Sequence, residues 1–419
     1  MSRLIVEGGI SLCGELSVQG AKNSALPVLA ATILCDTPCV IHNCPTLSDV
    51  DASCKILTYM GCKVSRKDKS ILVDPTTINR HDIPDDLMRE MRSSIVFLGA
   101  ICSKLGIAKL SFPGGCELGP RPIDLHLSSL RQLGLIIEED HGFLNCTVNG
   151  KLKGANIALS FPSVGATENI LLATATADGK TTILNAAREP EITDLADFLN
   201  KCGANIKGAG ESVIIIEGVS KLYGCEYNVI PDRIVAATYM AAAGITGGEI
   251  VLKNLNTMHL SPIIPLFEEA GCRIIANHES LYIKRNNVLR PVKSVRTMPY
   301  PGFPTDAQAP LMAMLTISNG TSVFIENIFE NRYKHAAELV RLGAKIKVEG
   351  KVAVIEGVKK LLAAPVEATD LRGGAALVVA ALMAEGKSEI YEIKHIDRGY
   401  ESIENALTIL GAKITRDNT

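Results

Sequence analysis

Leu342-Gly-Ala-Lys-Ile346 and Leu410-Gly-Ala-Lys-Ile414 are the same phrase written twice, and four looser copies precede them. These are Met60-Gly-Cys-Lys-Val64, Leu133-Gly-Leu-Ile-Ile137, Cys202-Gly-Ala-Asn-Ile206 and Ala270-Gly-Cys-Arg-Ile274. Their glycines stand at 61, 134, 203, 271, 343 and 411, separated by 73, 69, 68, 72 and 68 residues. A fixed period of this size marks a chain built by repeating one supersecondary unit.

Each phrase closes an amphipathic stretch: Val50–Met60, Leu125–Leu133, Ile192–Cys202, Ile263–Ala270, Ala336–Leu342 and Ile403–Leu410. Apolar residues recur there at helical spacing. The glycine is the expected left-handed residue past the helix end, and a strand follows it. About 25 residues earlier, Gly106, Gly179, Gly247, Gly320 and Gly386 each precede another strand, with Asp36-Thr-Pro38 in that role in the first unit. Ahead of those turns run Ala-rich stretches at Ala21–Leu34, Met91–Leu105, Val164–Ala177, Arg233–Ala243, Ala307–Ile317 and Leu371–Ala384. A helix apolar on nearly every face is a buried one. Each unit therefore supplies one buried helix, one half-exposed helix and several strands. Three buried helices make one domain, and six units make two such α/β domains.

Composition bounds the function. The chain has 419 residues, 47% apolar and 21% charged, with a formal net charge of −2. That is a globular composition long enough for two domains. The charge gives no reason to expect nucleic acid or an anionic membrane as partner. The longest apolar runs, such as Ala375–Ala384, reach half the length of a membrane span, and the first residues lack the apolar core of a secretory signal. Twelve cysteines without a C-x-x-C pair imply a reducing, cytoplasmic setting. Cys54, Cys102 and Cys202 read as small buried hydrophobes. Cys35, Cys39 and Cys44 cluster in sequence, but no second pair completes a zinc ligand set.

Candidate chemistry concentrates at Pro113-Gly-Gly-Cys-Glu-Leu-Gly-Pro-Arg-Pro-Ile-Asp-Leu-His126. Its glycines and prolines exclude a helix or a central strand, so Cys116 is held for something other than core packing. Arg121 offers a forked cation to an anion. The buried helices begin near Lys22-Asn23, Arg92-Ser93, Ser163, Asp232-Arg233, Thr305-Asp306 and Asp370-Arg372. Ser163, Asp232, Thr305 and Asp370 are ordinary N-caps. Lys22, Arg92 and Arg372 oppose the macrodipole, which makes sense where an anion fills the gap. Arg332 and Arg398 fall near the starts of outer helices, as Arg121 does. Cations from both halves of the chain predict an anion site between domains that closes by domain motion.

At these residues the chain resembles the UDP-N-acetylglucosamine 1-carboxyvinyltransferases, the enolpyruvyl transferases that open bacterial peptidoglycan synthesis. The resemblance rests on Lys22-Asn23, the Cys116 loop, Ser163-Val-Gly165, Ala187-Arg-Glu-Pro-Glu191, Pro231-Asp-Arg233, Phe303-Pro-Thr-Asp306, Glu330-Asn-Arg332 and Ile396-Asp-Arg-Gly-Tyr-Glu401. It runs from Ile5 to the C-terminus. It implies two inside-out α/β barrels of three units each, one over 21–229 and one formed by 1–20 with 230–419. It implies transfer of the enolpyruvyl group of phosphoenolpyruvate to the 3-hydroxyl of UDP-N-acetylglucosamine, by addition and elimination, with release of phosphate. Cys116 is the implied proton donor and covalent adduct site, and Asp306 the base. Lys22, Asn23, Arg121, Arg332, Arg372 and Arg398 are implied for phosphoenolpyruvate. Arg92, Arg121, Pro122, Ile123, Asp124, Leu125, Ser163, Val164, Gly165, Asp306 and Ile328 are implied for the nucleotide sugar. Glu189 matches an acidic position near the cleft, while His126 and His395 are expected to be structural. No cofactor and no metal are implied, and one chain suffices for activity. Ser48 and Phe161-Pro162 depart from the family pattern on the nucleotide side, and Gly373-Gly374 depart from it slightly.

Two other readings fit part of the sequence: an enzyme of this fold using shikimate 3-phosphate as acceptor, and a non-catalytic anion-binding repeat protein. The second leaves the thiol loop and Asp306 unused. The resemblance makes a chemical prediction. The epoxide fosfomycin is expected to inactivate the protein by alkylating Cys116, and mass spectrometry of the Cys116 peptide reads it. Inactivation with that peptide unmodified contradicts the assignment.

Overall fold

The computed structural model describes residues 2–91, 93–112 and 123–418. The described residues form six four-stranded sheets, all with one pairing pattern. In each, a parallel pair at one edge is followed by two antiparallel strands. Val295–Arg296 lies parallel to Thr321–Ile325, which pairs antiparallel with Val352–Glu356, and that strand with Lys345–Glu349. A buried helix, Thr305–Leu315, connects the parallel pair, and an outer helix, Lys334–Arg341, precedes the antiparallel hairpin. A parallel pair needs such a crossover, whereas the antiparallel pair closes through a short turn.

The six phrase glycines all adopt the left-handed conformation, with φ between 90° and 107°. At four of them the chain makes both hydrogen bonds of a Schellman turn. Past the Ser48–Tyr59 helix, Cys62 N donates to Leu57 O and Gly61 N to Thr58 O, each at 3.0 Å. The same pair of bonds recurs at Gly203–Ala204, Gly343–Ala344 and Gly411–Ala412. The glycine thus turns the helix directly into the following strand.

The buried helices are Lys22–Ala31, Phe97–Leu105, Val164–Thr174, Arg233–Thr246, Thr305–Leu315 and Leu371–Ala381. Every residue of Arg233–Thr246 is buried. The second helix starts later than its apolar pattern suggests, because a 3-10 turn at Ser94–Val96 leads into it. Thr305 is a helical residue rather than the cap: Pro304 holds the N-cap position, and the Thr305 hydroxyl donates to Glu326 Oε2 at 2.9 Å.

The chain divides into two compact units. One contains residues through Gln19 and from Pro231 onward; the other contains the described residues between Gly20 and Ile230. Each has its own aliphatic core, built around three buried helices. Two strand exchanges set this division. Cys13–Ser17 precedes the Lys22 helix but pairs with Glu249–Lys253, which follows the Arg233 helix. Glu226–Asn228 precedes the Arg233 helix but pairs with Cys39–His42, which follows the Lys22 helix. Arg3–Glu7 lies between Lys387–Tyr391 and Lys413–Asp417, so the first strand completes the last sheet.

Gly411 isolates the conformational role of these glycines, because a Cβ there meets nothing within 4 Å. Gly411→Ala is expected to destabilise the protein by about 1 kcal/mol through backbone strain alone, and Gly411→Asn by less. Urea unfolding midpoints measure both; an unchanged midpoint for the alanine variant contradicts the account.

Candidate functional site

Of the residues singled out in the sequence, Arg92, Cys116, Arg121 and Pro122 lie outside the described residues. The others fall into two groups, one in each unit.

In the unit that contains Pro231 onward, the N-termini of two mutually packed helices meet at Asp306. Asp306 is the second residue of Thr305–Leu315. Its Oδ1 accepts from Arg332 Nη2 at 2.9 Å, and its Oδ2 from Arg372 Nη2 at 3.4 Å. Arg332 also donates to Thr305 O at 3.0 Å. The two guanidiniums are nearly sealed, 2% and 3% exposed, whereas the Asp306 side chain is 28% exposed. The carboxylate is thus the solvent-facing member of the trio, clamped from behind by two cations. Burial alone would weaken the Arg372 charge, but Tyr400, Asp306 and Asp232 outweigh it and hold its pKa above the usual arginine value. Arg372 Nη1 donates to the Tyr400 hydroxyl at 3.1 Å, and that hydroxyl lies 2.9 Å from Thr238 Oγ1 on a third helix.

Two carboxylates frame this trio from the backbone side. Asp370 caps the Leu371 helix by accepting from Arg372 N at 3.1 Å and Gly373 N at 2.9 Å. Glu326, 1% exposed, accepts from Ile328 N at 2.8 Å and Phe329 N at 3.0 Å through one oxygen. Its other oxygen takes the Thr305 hydroxyl, so one side chain ties the Ile328 turn to the helix that carries Asp306. His335 is fully buried beside Asp370 and Arg332. Burial first, then the Arg332 charge, push its pKa down to about 4 against the opposing Asp370. Arg398 is half-buried at the end of the 3-10 helix Ile393–Arg398, and His395 is half-buried in it.

In the other unit, Lys22 is the first residue of its helix and 9% exposed. Its Nζ lies 3.0 Å from Asp49 Oδ2, in the first turn of the Ser48–Tyr59 helix. The cation that opposes the helix dipole is therefore offset by a carboxylate of the protein, buried here and partly exposed where Asp306 offsets Arg372. Asn23 and Ser48 are exposed. Ser163 is a true N-cap, accepting from Ala166 N at 3.3 Å. Val164 and Gly165 are half-buried beside it.

His126 joins that helix start to the exposed Asp124 and half-buried Leu125. Its ring would lie 2.8 Å from a Cβ at Gly165, so only glycine fits there. Its Nδ1 lies 2.8 Å from Asn169 Nδ2, and Asn169 also binds Ile95 O and Gly99 N. Burial pushes the His126 pKa down to about 4, which keeps the ring neutral. Ile123 is buried just ahead of the Asp124 helix.

Glu168, one turn into the Val164 helix, carries no sequence signal of function. Burial, then Glu191 and Glu189, raise its pKa well above the carboxylate range. A protonated carboxyl group thus sits beside the Glu189–Glu191 segment. Among the described residues, no group of three or more His, Cys, Asp or Glu is placed to hold a metal ion. No described helix is long and apolar enough to cross a membrane.

Residues 6–407 match the family described as EPSP synthase (3-phosphoshikimate 1-carboxyvinyltransferase). The chain is 52% identical to UDP-N-acetylglucosamine 1-carboxyvinyltransferase 2 of Caldanaerobacter subterraneus subsp. tengcongensis, over 99% of this chain and 100% of the relative. It is 46% identical to UDP-N-acetylglucosamine 1-carboxyvinyltransferase of Acinetobacter baylyi, again over 99% and 100%. Among solved structures, the enolpyruvyl transferase NikO from Streptomyces tendae superposes with a TM-score of 0.90 at 25% identity, over 99% and 98% of the two chains. EPSP synthase from Acinetobacter baumannii shares the fold, with a TM-score of 0.77 at 18% identity over the whole of both chains.

The neutral, buried His126 fixes a sign for stability against pH. The unfolded chain takes up a proton below about 6.5, and the folded ring resists it until about 4. Unfolded protein binds the extra proton in that window, so stability falls as pH falls from 6.5 to 4. The loss reaches on the order of 3 kcal/mol if fully expressed. His126→Gln is expected to flatten this part of the stability–pH curve, as read by urea midpoints. An equally steep curve in the variant contradicts the assignment.

Proposed function

Because the chain belongs to the EPSP synthase family, and within it to the UDP-N-acetylglucosamine 1-carboxyvinyltransferases, we propose that it carries out the reaction of that branch. It transfers the enolpyruvyl group of phosphoenolpyruvate to the 3-hydroxyl of UDP-N-acetylglucosamine and releases phosphate, in the cytoplasm, as the first committed step of peptidoglycan synthesis. The observation that carries the reading is the Asp306 carboxylate, solvent-facing and held by two buried arginines.

The chemistry assigns the parts. Addition needs a proton at the methylene carbon of phosphoenolpyruvate and loss of one from the sugar hydroxyl. Cys116 supplies the first, and the same thiol forms the covalent adduct at the neighbouring carbon. Asp306 takes the second. Elimination then removes a proton from the new methyl group, and the phosphate leaves with its C–O bond. Arg332 and Arg372 fix the carboxylate in place at no entropic cost during reaction, because their own side chains are buried and packed.

Lys22, Asn23, Arg121 and Arg398 join Arg332 and Arg372 in binding phosphoenolpyruvate in this reading. Each of the cations meets a phosphate or carboxylate oxygen of that doubly anionic acid. Arg92, Arg121, Pro122, Ile123, Asp124, Leu125, Ser163–Gly165, Asp306 and Ile328 hold the nucleotide sugar. The Asp124 and Ser163 helix starts, joined through His126, support that grouping, and Glu326 supports the Ile328 turn.

We further propose that the six identically paired sheets are six copies of one unit of roughly seventy residues, three to each inside-out α/β barrel. The barrels comprise 21–229, and 1–20 with 230–419. The common strand-pairing order and the evenly spaced left-handed glycines support this.

Phosphate release tests the function. With phosphoenolpyruvate present, release is expected with UDP-N-acetylglucosamine as acceptor and not with shikimate 3-phosphate; the reverse preference overturns the reading. Asp306→Ala is expected to lower kcat by about 10²–10⁴-fold, the range for a positioned acid or base. An unchanged kcat contradicts the assignment of Asp306 as the base, whereas no phosphate release with either acceptor favours the non-catalytic anion-binding alternative.

A further inference from the structure

Four cysteines from three separate segments of the chain converge in the unit that contains Lys22. Cys202 Sγ lies 3.6 Å from Cys225 Sγ, and the Cys202 thiol also reaches Cys35 and Cys39. This differs from the sequence grouping of Cys35, Cys39 and Cys44, and it removes Cys202 from the set of inert core residues. The backbone holds the segments together: Tyr223 N donates to Cys202 O at 2.8 Å, and Val40 N to Cys225 O at 3.0 Å.

The setting of the close pair is rigid. Asp194, Phe198 and Cys202 are spaced i, i+4 and i+8 along the Pro190–Lys201 helix and its cap, so they form one stripe. Each meets the segment from Cys225 to Tyr227. The Tyr227 hydroxyl donates to Asp194 Oδ1 at 2.7 Å, and the Phe198 and Tyr227 rings meet edge to face with centroids 5.4 Å apart. Cys202 completes the stripe against Cys225. Cys225 is partly exposed while Cys202, Cys35 and Cys39 are buried, so one thiol of the cluster faces solvent.

We propose that Cys202 and Cys225 form a thiol-oxidation site, which a small disulfide converts to an intramolecular disulfide. The partly exposed Cys225, as thiolate, attacks one sulfur of the reagent. The reagent S–S bond breaks and one thiol leaves. Cys202 attacks Cys225 Sγ, the mixed S–S bond breaks, and the departing thiolate takes the Cys202 proton and leaves as the second thiol. Two protein thiols are oxidised and one reagent disulfide is reduced to two thiols. Closing the pair needs the sulfurs to approach from 3.6 Å to bonding distance, about 2.05 Å, within a frame already fixed by Asp194 and Phe198.

Oxidised glutathione is the probe. The full folded chain is treated with it, free thiols are blocked with N-ethylmaleimide under denaturing conditions, and tryptic peptides are mapped without reduction. The expected product joins Cys202–Lys207 to Leu222–Arg233 and separates on adding dithiothreitol. Cys202 and Cys225 both carrying maleimide, or Cys202 joined to the peptide that contains Cys35 and Cys39, overturns the assignment. Cys202→Ser is expected to stop at glutathione on Cys225; an unmodified Cys225 in that variant overturns the order of attack. The linked protein is expected to unfold at a temperature roughly 5 °C or more above the reduced protein, because the bond closes a loop of about 22 residues. Equal midpoints overturn the stabilising effect.

Discussion

One carboxylate shared by two buried arginines sets the electrostatics of the Pro231-onward unit. Without Asp306, the Arg332 and Arg372 guanidiniums would stand nearly sealed from water with less to offset them. Leaving one partner of a buried charge pair uncompensated costs about 3–5 kcal/mol. The helix starts are therefore tied to one another: Asp306 on one, Arg372 on the next, and Thr238 on the third through Tyr400. The arrangement that stabilises these helix ends also holds a carboxylate at the surface. Stability and the proposed chemistry thus rest on the same contact.

The same logic recurs at Lys22. A cation at a helix start opposes the helix dipole, and the sequence alone suggests that an external anion offsets it. The structure supplies Asp49 instead, from the first turn of a neighbouring helix. The cations are therefore held in place by protein carboxylates. In the proposed reading, substrate oxygens meet cations already positioned, which limits the side-chain ordering that binding must cost.

Much of the fold was legible because glycine carries a backbone requirement that no other residue meets cheaply. The phrase glycines marked helix ends, and their left-handed φ angles are where the sequence placed them. The strand exchanges were not legible in the spacing. Cys13–Ser17 and Glu226–Asn228 look like ordinary first strands of their units, and only tertiary pairing sends each to the other sheet. The grouping of Asp306, Arg332 and Arg372 was legible through Phe303-Pro-Thr-Asp306, Glu330-Asn-Arg332 and the cation at the Leu371 helix start. The site was not legible where the role depends on burial. Glu326, Glu168 and His335 stand in unremarkable sequence surroundings, and only the fold shows that they are buried. The Cys202–Cys225 contact joins residues 23 positions apart, with no short motif to announce it.

The most direct test is a crystal structure with phosphoenolpyruvate, or an unreactive analogue, and UDP-N-acetylglucosamine bound together. The account predicts Asp306 within hydrogen-bond reach of the sugar 3-hydroxyl, about 2.6–3.2 Å, with Arg332 and Arg372 still flanking the carboxylate. A sugar hydroxyl out of reach of Asp306, or a phosphoenolpyruvate site without Lys22 and Arg398, would contradict it.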